Sequence, residues 1–170
     1  MGEAPIGGIG NDAAGGGDGA GGDGNNQLAC VDRNLTPGTA HDHGGGNTNA
    51  GVGCITAGCH LDGTGGPAFE MAGTVYQDNA GTIAATGVTL RVFPAGSTTP
   101  ITSLSDTAGN FYFTQGQLLN AYPAKTETTA CPSTKKMTAQ LLTNSSTGGN
   151  CNKAGCHSAA GDAGGRITDR

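Results

Sequence analysis

The sequence predicts a mainly β protein: a small antiparallel β-sandwich flanked by irregular, glycine-rich segments. Three observations carry this expectation. Short strand-like runs recur between Gly and Pro turn signals through the middle of the chain. The segment ahead of them shows no 3.6-residue apolar period that would mark an amphipathic helix. The 170 residues are 35 % hydrophobic and 4 % aromatic with no Trp, enough for one modest core.

Composition also excludes function classes. Net charge is −5 and only 12 % of residues are charged. With no basic run, nucleic acid is not an expected partner, because phosphate binding needs clustered Lys and Arg. No apolar run approaches the length of a membrane span. The first ten residues have neither the basic nor the apolar region of a signal peptide.

Residues 1–27 read as a flexible arm, dense in glycine from Gly2 to Gly24 and nearly devoid of side chains to pack. Its Asp12, Asp18 and Asp23 match neither an EF-hand nor a calcium nonapeptide array. Residues 28–66 are polar and irregular and hold three of the four histidines. Such a segment needs an apolar surface to pack on.

Residues 67–143 carry the sandwich. A first strand is expected from Phe69 to Gln77. A second runs from Thr86 to Pro94, where Val88, Leu90 and Val92 face one way and Thr89, Arg91 and Phe93 the other. A short strand follows at Ile101 to Leu104. Asp106-Thr-Ala-Gly109-Asn110 is a turn with Gly available for positive φ. Phe111, Tyr112 and Phe113 begin the next strand, and two more cover Ala121 to Thr126 and Lys136 to Leu142. Residues 144–170 return to small polar residues.

Gly73-Thr-Val75, Gly87-Val-Thr-Leu90-Arg-Val92 and Asp106-Thr-Ala-Gly109-Asn-Phe111-Tyr-Phe113 together resemble the carboxypeptidase regulatory-like domain over residues 71–126. The resemblance implies a transthyretin-like or immunoglobulin-like sandwich, a structural module common in exported bacterial proteins, with no catalytic residues to carry over.

The chemistry sits outside the sandwich. Cys54-Ile-Thr-Ala-Gly-Cys59-His60 and Cys151-Asn-Lys-Ala-Gly-Cys156-His157 share one pattern, C-x-x-A-G-C-H. A Cys-His pair with a second Cys shortly before it is the signature of covalent haem attachment. The usual spacer is two residues; here it is four, twice. The motifs resemble the variant haem sites of multihaem cytochromes c. That resemblance implies two haems c per chain. Cys54 and Cys59 would form the thioethers of one, with His60 on the iron; Cys151 and Cys156 those of the other, with His157. The two remaining histidines, His41 and His43, are then the candidate distal iron ligands. Asp42 between them is a candidate to orient an imidazole. Met71 and Met137 are alternative sixth ligands, but both fall in expected strands and suit the core.

The remaining cysteines, Cys30 and Cys131, are a disulfide pair in an oxidising compartment, or else two independent buried thiols. Zinc competes for the repeated motifs, and so does a pure disulfide framework. An adjacent Cys-His pair is awkward for tetrahedral chelation, and disulfides alone leave the histidines unexplained, so haem ranks above zinc and zinc above disulfides.

The expected function is therefore electron transfer by a non-enzymatic dihaem cytochrome. It would act outside the cell, in the periplasm or at the cell surface, after signal-peptide removal. The alternative is a non-redox surface or adhesion module with zinc or disulfide sites at the same cysteines. His60 and His157 lie far apart in sequence while His41 and His43 lie together. One distal ligand would then serve a neighbouring copy, and head-to-tail contacts that do not close build a filament.

Overall fold

The computed structural model describes residues 36–42, 46, 48–130, 133–137, 141, 149–159 and 165–169. The expected arm 1–27, His43, Cys30 and Cys131 lie outside the described residues.

Seven strands are present: β1 Phe69–Tyr76, β2 Thr89–Pro94, β3 Ile101–Leu104, β4 Asn110–Thr114, β5 Ala124–Thr129, β6 Thr134–Lys136 and β7 Ile167–Thr168. They form two sheets, ordered β4-β1-β7 and β3-β2-β5-β6. Among the described residues there is no helix, so the mainly β class holds, and no helix is long and apolar enough to cross a membrane. All named pairings are antiparallel except β1 with β7, which run parallel.

The core lies between the sheets. Val88, Leu90 and Val92 face Met71, Val75, Phe111 and Phe113, all buried. Met71, one of the alternative iron ligands, is thus a core side chain. Thr89 and Arg91 on the other face of β2 are buried as well. Arg91 is held there by Glu127 of β5, Nη1 to Oε1 at 3.2 Å, directly across the strand pair. The expected alternation is therefore correct in direction, although the polar face is covered rather than solvated.

Two strands differ in their bounds. The run expected at 121–126 forms as β5, three residues later, because Ala121 still closes a turn onto the Leu118 carbonyl and pairing with β2 begins at Ala124. The last expected strand appears earlier, as β6, and Leu141 makes an isolated bridge to Ala124.

The Asp106–Asn110 turn forms as expected. Gly109 has φ +78°, and a Cβ there would meet the Val75 carbonyl oxygen. Asp106 Oδ1 accepts from the backbone N–H groups of Ala108 and Asn110 at 2.8 and 2.9 Å, closing the turn from inside.

β1 organises the molecule. All eight of its residues are buried, so it packs on both faces. Met71 and Val75 point into the sandwich core. A register shift against β4 lies between Phe69 and Met71. Such a bulge changes which face a side chain takes, and Phe69 joins Ala72 in a second small cluster with Ile55 and Cys54. The residue just before the second motif, Asn150, bridges in parallel to Ala72, and β7 takes up the same parallel course beside Val75 and Tyr76. The second motif is thus an excursion from a strand-like path along β1.

Candidate haem-binding site

Both C-x-x-A-G-C-H segments fold into the same closed loop. In the first, Cys59 N–H donates to the Thr56 carbonyl at 3.0 Å and His60 N–H to the Cys54 carbonyl at 3.3 Å. In the second, Cys156 N–H donates to Lys153 at 3.1 Å and His157 N–H to Cys151 at 2.8 Å, at the equivalent positions. Gly58 and Gly155 take φ of +78° and +82°, the left-handed bend a four-residue spacer needs. Closure of the loop returns each histidine to the first cysteine of its own motif.

The two imidazoles are fixed alike. His60 Nδ1 lies 2.8 Å from the Pro67 carbonyl oxygen, and His157 Nδ1 lies 2.9 Å from that of Gly165. A carbonyl only accepts, so each Nδ1 carries the proton and each Nε2 keeps its lone pair for a metal. This is the tautomer that an iron-ligating histidine requires.

His60 is 2 % exposed. Its ring stacks on Phe69 with centroids 3.9 Å apart, and Phe69 stacks on Tyr112 at 4.6 Å. Gly66 passes so close that a Cβ would meet Cε1 of the ring at 2.7 Å. The chain after the motif therefore wraps the imidazole, and its return is sealed where Phe69 N–H donates to the His60 carbonyl at 2.9 Å.

His41 is brought to the same place. Its ring centroid is 5.3 Å from that of His60, with the planes tilted by 56°. The carboxylate of Asp106 holds it, since Oδ2 accepts from His41 N–H at 3.0 Å. Asp42 accepts from Gly46 N–H at 3.1 Å. Asp106 thus ties down the backbone of His41 from a turn 65 residues away. A cavity of about 550 Å³ opens beside His41, lined by Asp42, Asp106 and Tyr112.

The motifs are neighbours. The backbone of the second is clamped to β1 by Cys151 N–H to the Ala72 carbonyl at 3.0 Å and by Thr74 N–H to Asn152 Oδ1 at 2.6 Å. Gly73 makes this approach possible, as a Cβ there would meet Asn152 Oδ1 at 2.8 Å and Cys151 Cβ at 2.9 Å. Asn150 Nδ2 donates to the Ile55 carbonyl inside the first motif at 3.1 Å. Burial pushes the Cys54 thiol up to about 11, with Cys59 and Asp106 adding repulsion. Cys151 is pushed up to about 12, again by burial first and then by Cys156 and Cys54. Cys151 thus senses the leading cysteine of the first motif.

A second cavity, of about 330 Å³, lies against Cys151 and His157. Met71 and Met137 also line it.

The four motif cysteines are free thiols. Among the described residues no three His, Cys, Asp or Glu side chains are grouped to hold a metal ion by themselves. Each motif places two thiols and one Nδ1-protonated imidazole on one loop, the donor types that a covalently attached porphyrin would use. No local pattern marks Phe69, Tyr112, Asp106 or Asn150 as site residues, because they act through contacts distant in the chain. No known protein family, curated protein or solved structure matches the chain.

Proposed function

We propose that this protein transfers electrons through two covalently attached haems c. The observation that carries the reading is the repeated loop: two C-x4-C-H segments 97 positions apart close through equivalent hydrogen bonds and present histidines in the same tautomer. Cys54 and Cys59 would hold the first haem with His60 as the proximal ligand, and Cys151 and Cys156 the second with His157.

The site residues have distinct tasks. The Pro67 and Gly165 carbonyls keep the proton on Nδ1 and make Nε2 the more basic donor. Phe69 and Gly66 exclude water from the first imidazole. Asp106 sets His41 opposite His60, which supports His41 as the distal ligand of the first haem. His43 is then left for the second. When bound, each haem supplies an iron that takes up and gives back one electron. Two imidazoles on the first iron would leave it no open position, which suits electron transfer rather than oxygen chemistry.

The side-by-side motifs support rapid exchange between the haems, because both loops are fastened to β1. Covalent haem attachment to cysteine implies export, so an extracellular, periplasmic or cell-surface location goes with the reading. Assembly into a filament is the further proposal: His41 meets His60 within one chain, so a shared ligand would be His43. Electron microscopy showing only single copies, with both irons already carrying two imidazoles, would overturn the filament.

The function itself is tested by acid–acetone extraction of the purified protein. A Soret band that stays with the polypeptide is the expected result; a colourless protein with stoichiometric zinc would overturn it.

A further inference from the structure

The carbonyl that fixes His157 has little to hold it locally. Gly165 supplies it, 2.9 Å from Nδ1. Gly165 takes φ +91° with open space where a Cβ would stand, so no side chain of its own sets the direction of the carbonyl. The strand that follows, β7, has two residues. The first site differs. Its acceptor, Pro67, has φ set by its ring and leads through Ala68 into the eight-residue β1. The Ala68 carbonyl accepts from Gln115 N–H at 2.9 Å and steadies that entry.

Arg166 supplies the missing anchor at the second site. The Gly165 carbonyl and the Arg166 N–H belong to one planar peptide unit, so holding Arg166 fixes the direction of the carbonyl. The guanidinium lies over the Tyr76 ring, with Cζ 4.9 Å from the centroid. Two glycines close on the same group. A Cβ at Gly81 would collide with Arg166 Nε, and a Cβ at Gly51 would meet Nη1 at 2.8 Å as well as the Tyr76 hydroxyl. Tyr76 also pairs with Thr168 of β7, and its carbonyl accepts from Asp169 N–H at 3.0 Å. One residue of β1 therefore grips the segment after Gly165 at both ends, by its ring and by its backbone. Gly51 stands shortly before Cys54 and donates its N–H to Thr74 Oγ1 at 2.8 Å. The same guanidinium thus packs against the lead-in to the first motif.

We propose that Arg166 is the positioning residue of the second site: packed between Tyr76, Gly81 and Gly51, it aims the Gly165 carbonyl at His157 and so keeps the proton on Nδ1 and the lone pair on Nε2. Its consequence at an iron rests on the haem reading above, whereas the tautomer is a property of the chain itself. A carbonyl on Nδ1–H makes Nε2 the more basic ligand, and a more basic ligand favours the oxidised iron. Loosening the carbonyl should therefore raise the potential of the second haem. Loss of the Arg166 charge alone would act the other way, because a nearby cation favours the reduced iron. The sign of the shift separates positioning from charge.

The test uses the full chain, haem-free and haem-loaded, with the variants Arg166→Gln, Arg166→Lys and Tyr76→Leu. In the haem-free chain, nitrogen-15 NMR of the neutral rings reads which nitrogen of His157 and of His60 carries the proton. The wild type should show Nδ1–H on both. Arg166→Gln and Tyr76→Leu should turn His157 into a mixture of the two tautomers and leave His60 unchanged. Arg166→Lys keeps the charge without the planar group, and should move His157 the same way by less. In the loaded protein, spectroelectrochemical titration of Arg166→Gln should show one potential raised and the other in place. His157 unmoved in both Arg166 variants, potentials that fall or stay in Arg166→Gln, or His60 and His157 losing their tautomers together would each overturn the positioning role. A wild type whose intact mass carries no covalent haem would refute the underlying function instead, and the tautomer measurement would still decide the role of Arg166.

Discussion

Asn150 donates its side-chain N–H to the carbonyl of Ile55 at 3.1 Å, joining two segments 95 residues apart. Asn150 directly precedes the second motif and Ile55 lies within the first, so this bond is the direct tie between the two loops. Asn150 is 3 % exposed, which leaves no water to replace it. Asn150→Ala should therefore strand a buried acceptor at a cost of about 1–3 kcal/mol. Urea denaturation of the haem-free chain measures this, and an unchanged midpoint would mean the tie is idle.

Gly73 and Gly155 separate two kinds of glycine requirement. At Gly73 an added Cβ collides with Asn152, Cys151 and Phe111, all within 2.9 Å. Gly73→Ala is expected to cost about 1–3 kcal/mol by overpacking and to push the second motif off β1. At Gly155 the space is open and only φ +82° is at stake, so Gly155→Ala should cost about 1–2 kcal/mol and leave the neighbouring loop in place. Amide exchange at Cys151 distinguishes them: its bond to Ala72 should open in the first variant and persist in the second.

Asp106 is the tether of His41. Asp106→Ala removes three accepted hydrogen bonds, those from His41, Ala108 and Asn110. A loss of about 2–3 kcal/mol follows from charge-assisted bonds of this kind. In the haem-loaded protein the same change should convert the first haem from a two-imidazole low-spin spectrum toward high spin, as His41→Ala should. Electron paramagnetic resonance reads that change, and a spectrum identical to wild type in both variants would remove His41 from the iron.

The thiols give a pH signature to the haem-free chain alone. Cys54 and Cys151 are pushed up to about 11 and about 12 by burial, whereas an unfolded thiol ionises near 9.0. Above pH 9 the unfolded chain holds fewer protons than the folded one, so stability falls with rising pH until the folded thiols ionise as well. The haem-free chain should lose stability from about pH 9 to about 12. A haem-loaded protein, whose motif sulfurs would be thioethers, should not show this component. Matching denaturation curves for both forms across that window would contradict thioether formation.

What the sequence made legible follows from locality. β1, β3 and the Asp106–Asn110 turn are visible because alternation and turn chemistry are short-range signals. β7 is not, since two residues in a glycine-rich tail carry no alternation and its parallel pairing depends on β1 far away. The burial of Arg91 depends on Glu127, a partner fixed by strand register. At the candidate site, spacing alone singled out Cys54, Cys59, His60 and their repeats. Spacing also implies that haems at opposite ends of the chain need bringing together, with one ligand supplied by a second copy. The parallel course of Asn150 along β1 brings the two motifs together within one chain. The tie from Asp106 to the His41 backbone is not legible in the sequence, because it spans 65 residues.

The most direct test of the central claim is peptide mapping of the purified protein by mass spectrometry, under conditions that neither reduce it nor extract a prosthetic group. The account predicts one haem joined to the peptide containing Cys54 and Cys59, and one to the peptide containing Cys151 and Cys156. Both peptides at their unmodified masses, or linked only by disulfides, would contradict it.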